Sequence, residues 1–131
     1  MLEDHPNVGL VKRFNPADPA GMADLFAEDV IWHYFNPKLP ELQGDYVGPD
    51  GIRSFFQRVA EISHGTFRIE PVSIGPVGDE LVVVQVRDTL TFKGEPRALD
   101  VVVVWRIVDG RVAEVWDIVP GQPTEIQDGE I

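Results

Sequence analysis

The sequence predicts an α+β fold in a single domain over residues 1–131. In the first half, apolar residues recur at three- and four-residue steps, the period of a helix, whereas in the second half they alternate as in strands. Two domains would each be too short for a hydrophobic core of their own. From about residue 121 the sequence is polar and acidic, and we expect a loose tail there.

Composition narrows the classes of partner. The chain has 11 Lys and Arg against 22 Asp and Glu, a net charge of -11, which disfavours nucleic acid and anionic membranes as partners. It has no cysteine, so disulfides and thiolate chemistry are excluded. The longest apolar run, residues 101–105, is too short to cross a membrane, and the acidic first residues lack the apolar core of a signal peptide. We therefore expect a cytoplasmic protein.

Three helices and one strand are predicted in the first half. Apolar spacing favours a short helix over residues 8–14, which prolines end, and a second over residues 20–26. Residues 30–35 are β-branched and aromatic, which is typical of a strand. A long loop over residues 36–48 follows, and long ordered loops often border pockets. The strongest helix, from about residue 49 to residue 62, has one wide apolar face.

The second half is predicted as four strands joined by turns. The strands cover residues 66–74, 81–92, 97–108 and 111–119. Asp109-Gly110, between two apolar runs, is a strong signal for a two-residue hairpin turn.

This turn sets the register of the last hairpin. Counting back from it places Val102 opposite Asp117 on one face of the sheet. The other face is also apolar, which a single layer of helices does not require. We therefore expect a homodimer through that second, outer face. The residues expected at this interface are Trp105, Glu114 and Trp116.

The preceding hairpin leaves two alternatives open. A turn with an even number of loop residues within residues 93–96 brings Arg87 to the face of Asp117. An odd turn or a bulge brings Asp88 there instead, because a slip of one residue exchanges the two faces of a strand.

Four segments in this order resemble one known family. They are residues 25–33 (LFAEDVIWH), 42–48 (LQGDYVG), 51–56 (GIRSFF) and 109–117 (DGRVAEVWD). Over about residues 8–120, the chain resembles the SnoaL-like polyketide cyclases and ketosteroid isomerase-like members of the nuclear transport factor 2-like superfamily.

The resemblance implies a cone-shaped α+β barrel, in which a strongly curved mixed or antiparallel sheet wraps around about three N-terminal helices. It also implies a pocket for a small apolar molecule, which different members use for isomerisation, cyclisation, epoxide hydrolysis, dehydration or binding alone. This chain departs from the ketosteroid isomerases, since Val102 and Tyr34 stand where those enzymes keep acidic residues. The departure argues against steroid isomerisation by their mechanism.

Asp117 and His33 are the candidate catalytic residues. Asp117 alternates with apolar neighbours, and burial raises the pKa of a carboxyl toward neutrality, although a structural carboxylate is the alternative. His33 titrates near neutral pH, with a structural core histidine as its alternative. Strand alternation lets either His33 or the pair Trp32 and Tyr34 face the pocket.

We therefore predict a cofactor-independent enzyme of the cyclase or isomerase type, with acid–base chemistry on a small apolar or aromatic carbonyl compound. The alternative is a non-catalytic binding or dimerisation module. An epoxide hydrolase is a lesser alternative, because it requires Asp117, Arg87 and Asp88 around one water. No metal is expected, since the three histidines lack ligand spacing. The candidate substrate-binding residues are Trp32, Tyr34, Tyr46, Phe55, Val59, Arg87, Val102 and Val115.

Overall fold

The computed structural model describes residues 5–22 and 24–120 and confirms the α+β class. Its helices are α1 (Pro6–Val11), a 3-10 turn at Pro19–Met22, and α2 (Gly48–Ile62). The helical part is smaller than the three helices expected, since prolines confine the first two segments to a turn or two. Within these residues, no helix has the length and apolar composition of a membrane span. The predicted tail from residue 121 lies outside the described residues.

Six strands form one curved sheet. They are β1 (Phe26–Phe35), β2 (Gly44–Val47), β3 (Arg68–Val77), β4 (Leu81–Phe92), β5 (Glu95–Val108) and β6 (Arg111–Ile118). Their order in space is β2-β1-β6-β5-β4-β3, with β1 and β6 parallel and the other neighbours antiparallel. β2 and β3 are the two edges, so the sheet stays open instead of closing into the expected barrel. β2 lies within the predicted long loop, and its pairing with β1 shortens that loop to residues 36–43.

The core lies between α2 and one face of the sheet. We call this the inner face and the opposite one the outer face. The apolar side of α2 carries Ile52, Phe55 and Val59, each at most 6% exposed. Phe55 packs against Trp32 of β1, with ring centroids 6.1 Å apart. The wide apolar face predicted for this helix is therefore the face that covers the sheet.

The last hairpin contains a bulge that its turn does not reveal. The Asp109-Gly110 turn forms as predicted, with φ angles of 52° and 77°. Arg106, however, pairs with Glu114 instead of Ala113, which is the extra residue of the bulge. Beyond this point every pairing of β5 with β6 is shifted by one residue from the prediction.

The shift changes which residues lie inside. Asp117 pairs with Val103, not with Val102, and Val102 lies on the outer face with 40% of its surface exposed. Trp105, expected on the outer face, lies on the inner face and is 3% exposed. The predicted register is wrong for both residues, because a shift of one residue exchanges the faces of a strand.

The preceding hairpin resolves the two alternatives for β4. Its turn is Lys93-Gly94, with φ angles of 50° and 79°, so the loop has two residues. Arg87 lies on the outer face beside Asp100, with a closest charged pair at 3.9 Å. Asp88 lies on the inner face together with Asp117. The bulge in β6 is the reason that an even turn still brings Asp88 to this face.

The homodimer through the outer face remains a prediction, now without Trp105. Val102 and Ile118 form a cross-strand pair, each 40% exposed, and Phe35 is 50% exposed. Val102→Glu would bury a charge in this interface, so we expect it to halve the mass measured by light scattering to that of one 14.6 kDa chain. Val77→Glu, at a 53% exposed position on edge strand β3, is the control and should leave the mass unchanged. A monomeric wild-type protein would contradict the prediction.

Candidate functional site

A cavity of about 480 Å³ lies on the inner face, between the sheet and the segment around α1. We call it the inner cavity. Its size suits a small organic molecule. Its wall is mainly aromatic and aliphatic, and it includes two carboxyl groups, those of Asp88 and Asp117. Other residues of the wall include Phe14, Trp32, Phe56, Phe67, Val86 and Trp105.

Asp117 lies in the interior, as its alternation with apolar residues predicts, and is 7% exposed. The parallel pairing of β1 with β6 brings Trp32 close, and the Nε1 of its indole donates a hydrogen bond to Asp117 Oδ2 at 3.2 Å. Burial is the main reason that the pKa of this carboxyl rises to about 8. The charge of Asp88 adds to the rise, and the hydrogen bond from Trp32 opposes it.

Asp88 on β4 supplies the second carboxyl of the inner cavity. Burial raises its pKa to about 7. Its Oδ1 is buried and has no hydrogen-bond partner among the described residues. One oxygen of this carboxyl is therefore free to accept a proton or a hydrogen bond.

The two carboxyls titrate as a pair. Like charges repel strongly where water is excluded, so ionisation of one carboxyl opposes ionisation of the other. The pKa is about 7 for Asp88 and about 8 for Asp117, so at a pH between these two values the pair together binds close to one proton. The cavity can therefore offer an acid and a base at the same time.

A smaller cavity of about 50 Å³ adjoins the inner cavity, since Asp88 and Asp117 line both. Tyr34 and Asn36 also line it, and Asn36 Nδ2 donates a hydrogen bond to Tyr34 Oη at 3.0 Å. Burial raises the pKa of Tyr34, against the effect of the Asn36 bond and with that of the nearby carboxyls. Its phenol therefore stays protonated, and the O–H is a hydrogen-bond donor close to the acid pair.

His33 lies on the outer face, away from the inner cavity, because it alternates with Trp32 and Tyr34 along β1. Its Nδ1 is 2.7 Å from Asp45 Oδ1, and its Nε2 is 2.5 Å from Glu114 Oε2. Burial lowers the pKa of this imidazole, but the hydrogen bonds to the two carboxylates and their charges outweigh it, so the pKa is raised. Of the two sequence alternatives for the pocket, the structure thus brings in Trp32 and Tyr34 and leaves His33 outside.

Apart from Tyr46, the other predicted wall residues fall into three groups. Phe55 and Val59 line the smaller cavity. Val115 is completely buried in the core beside Trp32. Arg87 and Val102 lie on the outer face, so the expectation that they contact a ligand in the pocket is corrected.

Tyr46 lies in β2 instead of a loop at the mouth of a pocket. Its ring packs against Phe55 with centroids 4.8 Å apart. Its Oη donates to the Leu42 carbonyl oxygen at 2.5 Å and accepts a bond from Arg58 at 3.5 Å. Tyr46 therefore ties the loop after β1 to α2 and supports Phe55.

The sequence does not single out Trp105 or Asn36 as pocket residues. Trp105 is missed because the bulge lies in β6 and does not alter the alternation of apolar residues in β5. Asn36 is the first residue after β1 and follows Tyr34 by two positions, so the alternation of the strand, continued by one residue, is a usable signal. Within the described residues, no group of three or more His, Asp or Glu side chains converges as a metal site.

Asp117→Asn should make the fold less sensitive to rising pH. The pKa of Asp117 in the folded protein, about 8, lies above the ordinary value of 3.8. The contribution of this carboxyl to the free energy of unfolding is therefore fully present below about pH 4 and is lost as pH rises through about 8. An amide has no such proton to lose. We expect Asp117→Asn to raise the Tm relative to the wild type more at about pH 9 than at about pH 6. The corresponding difference in the free energy of unfolding is on the order of a few kcal/mol.

Asp100→Asn, which removes a carboxylate that is 71% exposed, is the matched control for net charge. It should change the Tm by the same small amount at both pH values. Equal responses of the two variants in a thermal-unfolding series would show that Asp117 is not a buried neutral acid.

The comparisons with known proteins agree on one fold. A family model described as a SnoaL-like domain matches residues 8–115. Bal32a, from a soil-derived mobile gene cassette, is 25% identical, with a TM-score of 0.78 over 89% of this chain and 91% of that chain. TerC, co-crystallised with polyporic acid, is 26% identical, with a TM-score of 0.75 over 88% and 92% of the two chains. A protein of unknown function from Burkholderia pseudomallei, described as NTF2-like, is 27% identical, with a TM-score of 0.75 over 88% and 91%.

The search of curated proteins finds no match. The family match runs from α1 into β6, so it includes Asp88 and ends two residues before Asp117. Because the match covers most of the chain and the fold agrees with it, the chain belongs to the SnoaL-like domain family.

Proposed function

We propose that this protein is an acid–base enzyme of the cyclase or isomerase type, which acts on a small apolar or aromatic carbonyl compound in the inner cavity. One observation carries the proposal: Asp88 and Asp117 line the same cavity, with pKa values of about 7 and about 8. Acid–base catalysis is most efficient when the pKa of the catalytic group lies near the working pH. Proton transfer between such a pair and a carbonyl compound requires no cofactor.

Asp88 is the proposed base. It is less deeply buried than Asp117, and its Oδ1 has no hydrogen-bond partner among the described residues, so it can receive a proton. The carboxylate removes a proton from the carbon next to the carbonyl group. The electron pair of the broken C–H bond moves toward the carbonyl oxygen, so negative charge develops there.

Asp117 is the proposed acid, since its burial and the negative charge of an ionised Asp88 both favour its protonated form. It gives its proton to the carbonyl oxygen, and the product of this step is a neutral enol. Isomerisation is complete when Asp88 returns its proton to a different carbon and Asp117 recovers its own. Cyclisation occurs instead when the enol carbon attacks a second carbonyl group of the same molecule. The π bond of that group breaks, its oxygen takes the proton from Asp88, and Asp117 recovers its own proton from the enol oxygen as the first carbonyl forms again.

Tyr34 is a second donor for the developing charge. It lines the smaller cavity together with both carboxyls, and the hydrogen bond from Asn36 fixes its oxygen. A fixed neutral donor stabilises an enolate without itself giving up a proton.

The cavity wall supports an apolar substrate. Of the described lining residues, those outside the acid pair are aromatic or aliphatic except Lys12. That TerC is co-crystallised with an organic compound supports a small-molecule ligand in this fold. The epoxide hydrolase alternative lacks its arginine, because Arg87 lies on the outer face. A binding module without turnover remains the competing function, and the exchange experiment separates it from an enzyme.

We expect the protein to catalyse exchange of the acidic C–H protons of aromatic ketones. Enolisation in D2O replaces these protons by deuterium, and NMR follows the loss of their signal for 2-tetralone and 2-acetylnaphthalene. Asp88→Asn and Asp117→Asn should each slow the exchange at least about 100-fold, the usual contribution of a general acid or base.

Asp100→Asn and His33→Gln are the matched controls, because both residues lie outside the inner cavity. Neither substitution should slow the exchange more than about twofold, whereas the loss of a catalytic group slows it at least about 100-fold. If ketones raise the Tm of the wild type and both Asp variants without any exchange, the protein is a binding module.

The pH dependence of exchange should be bell-shaped. Below about pH 7 the base is protonated, and above about pH 8 the acid has lost its proton, so the rate falls on both sides. The measurement is the exchange rate per enzyme from about pH 5 to about pH 10, with the uncatalysed rate subtracted. A rate that rises steadily with pH would contradict a carboxyl pair that shares one proton.

A further inference from the structure

Two tryptophans meet in the wall of the inner cavity, and they differ in hydrogen bonding. The rings of Trp32 and Trp105 are 5.5 Å apart at an angle of 87°. Trp32 Nε1 donates to Asp117 at 3.2 Å. Trp105 is 3% exposed, and its Nε1 is buried without a hydrogen-bond partner among the described residues. The proposed proton transfer uses Asp88, Asp117 and Tyr34 and leaves the N–H of Trp105 unused.

An unpartnered N–H in this place has a chemical consequence. A buried donor without an acceptor has lost its hydrogen bond to water and is costly, so folded proteins keep few of them. The indole N–H only donates, which means that its partner has to be an acceptor. Phenylalanine would fill the wall without a polar atom. An acceptor on the occupant of the cavity would supply the bond that this N–H lacks.

The charge of the surroundings selects the kind of acceptor. Asp88 and Asp117 line the same cavity and become negative as they ionise. A carboxylate or phosphate of a ligand would be repelled by this charge, whereas an uncharged oxygen is not. Lys12, the one cationic residue among the described lining, lies at an exposed position on the surface side of the cavity.

We propose that Trp105 determines specificity by donating a hydrogen bond from Nε1 to a second, uncharged oxygen of the substrate, separate from the reacting carbonyl. The substrate class is thus an apolar or aromatic carbonyl compound with an additional ketone, ether or hydroxyl oxygen. This inference rests on the proposed function in that the inner cavity is the substrate site. Because Nε1 is buried, its surroundings have to shift to admit the oxygen. The aromatic rings beside Trp105 are those of Phe14 and Trp32, with centroids 5.1 and 5.5 Å from its own.

The test compares ligands that differ in one oxygen. Each of the 5-, 6- and 7-methoxy derivatives of 2-acetylnaphthalene is paired with its ethyl counterpart, in which a CH2 group replaces the ether oxygen. We expect at least one methoxy isomer to bind the wild type about tenfold more tightly than its ethyl partner, the usual scale for one buried hydrogen bond. Trp105→Phe should abolish this preference, so that the methoxy and ethyl compounds bind the variant with affinities within about twofold of each other.

A second measurement keeps Trp105 in place, so it does not depend on whether a variant at this position folds. The chain has three tryptophans, so a 15N-labelled protein shows three indole N–H signals. The signal of Trp105, assigned by elimination with Trp32→Phe and Trp116→Phe, should move further downfield with the methoxy ligand than with the ethyl ligand, since a new hydrogen bond adds to the ring-current effect that both ligands share. Trp116, which stacks on His33 on the outer face, is the internal reference and should not move.

The outcomes separate this inference from the proposed function. If methoxy and ethyl ligands bind equally and exchange still requires Asp88 and Asp117, Trp105 does not recognise an oxygen, and the acid–base function stands. If the methoxy preference depends on Trp105 but no exchange occurs, the inference holds for a binding protein. If no ligand of the series binds, the inference is overturned together with the proposed substrate class.

Discussion

A single extra residue in β6 decides which side chains of this sheet face the interior. Ala113 breaks the strict alternation of the last hairpin, so that Val112 and Val115 both point inward. Asp117 then lies on the same face as Trp105, and this face is also that of Asp88. With a regular hairpin, Trp105 would lie on the opposite face from Asp117. The whole candidate site depends on this one irregularity, since bulges re-aim side chains without changing the number of strands.

The interior that results is chemically unusual. Its walls are aromatic rings and valines, yet it holds two carboxyl groups whose pKa values of about 7 and about 8 reflect their removal from water. Burying ionisable groups opposes folding whenever they are charged, so the remaining core has to supply the stability. Trp32 partly offsets this cost, because its N–H gives Asp117 a hydrogen bond. A destabilising feature retained in this way is typical of a functional site.

β1 and β6 carry different ionisable groups on their two faces. On the outer face, His33 of β1 stacks on Trp116 of β6 and lies between two carboxylates. Its raised pKa comes from neighbouring negative charge, whereas that of Asp117 comes chiefly from burial. The neighbouring carboxylates thus favour the charged form of the outer group, whereas burial favours the neutral form of the inner group.

The sequence by itself determined the fold class, the long helix, the five longer strands and the turn at Asp109-Gly110, because these follow from local periodicity and turn chemistry. It also marked Asp117 as a carboxyl among apolar neighbours. It missed the short edge strand β2, which it predicted as part of a loop. Only the tertiary structure decided that Asp88 and Trp105 join Asp117 while His33, Arg87 and Val102 lie outside. The physical reason is that strand pairing converts a shift of one residue into an exchange of faces, and no local pattern records the bulge that causes the shift.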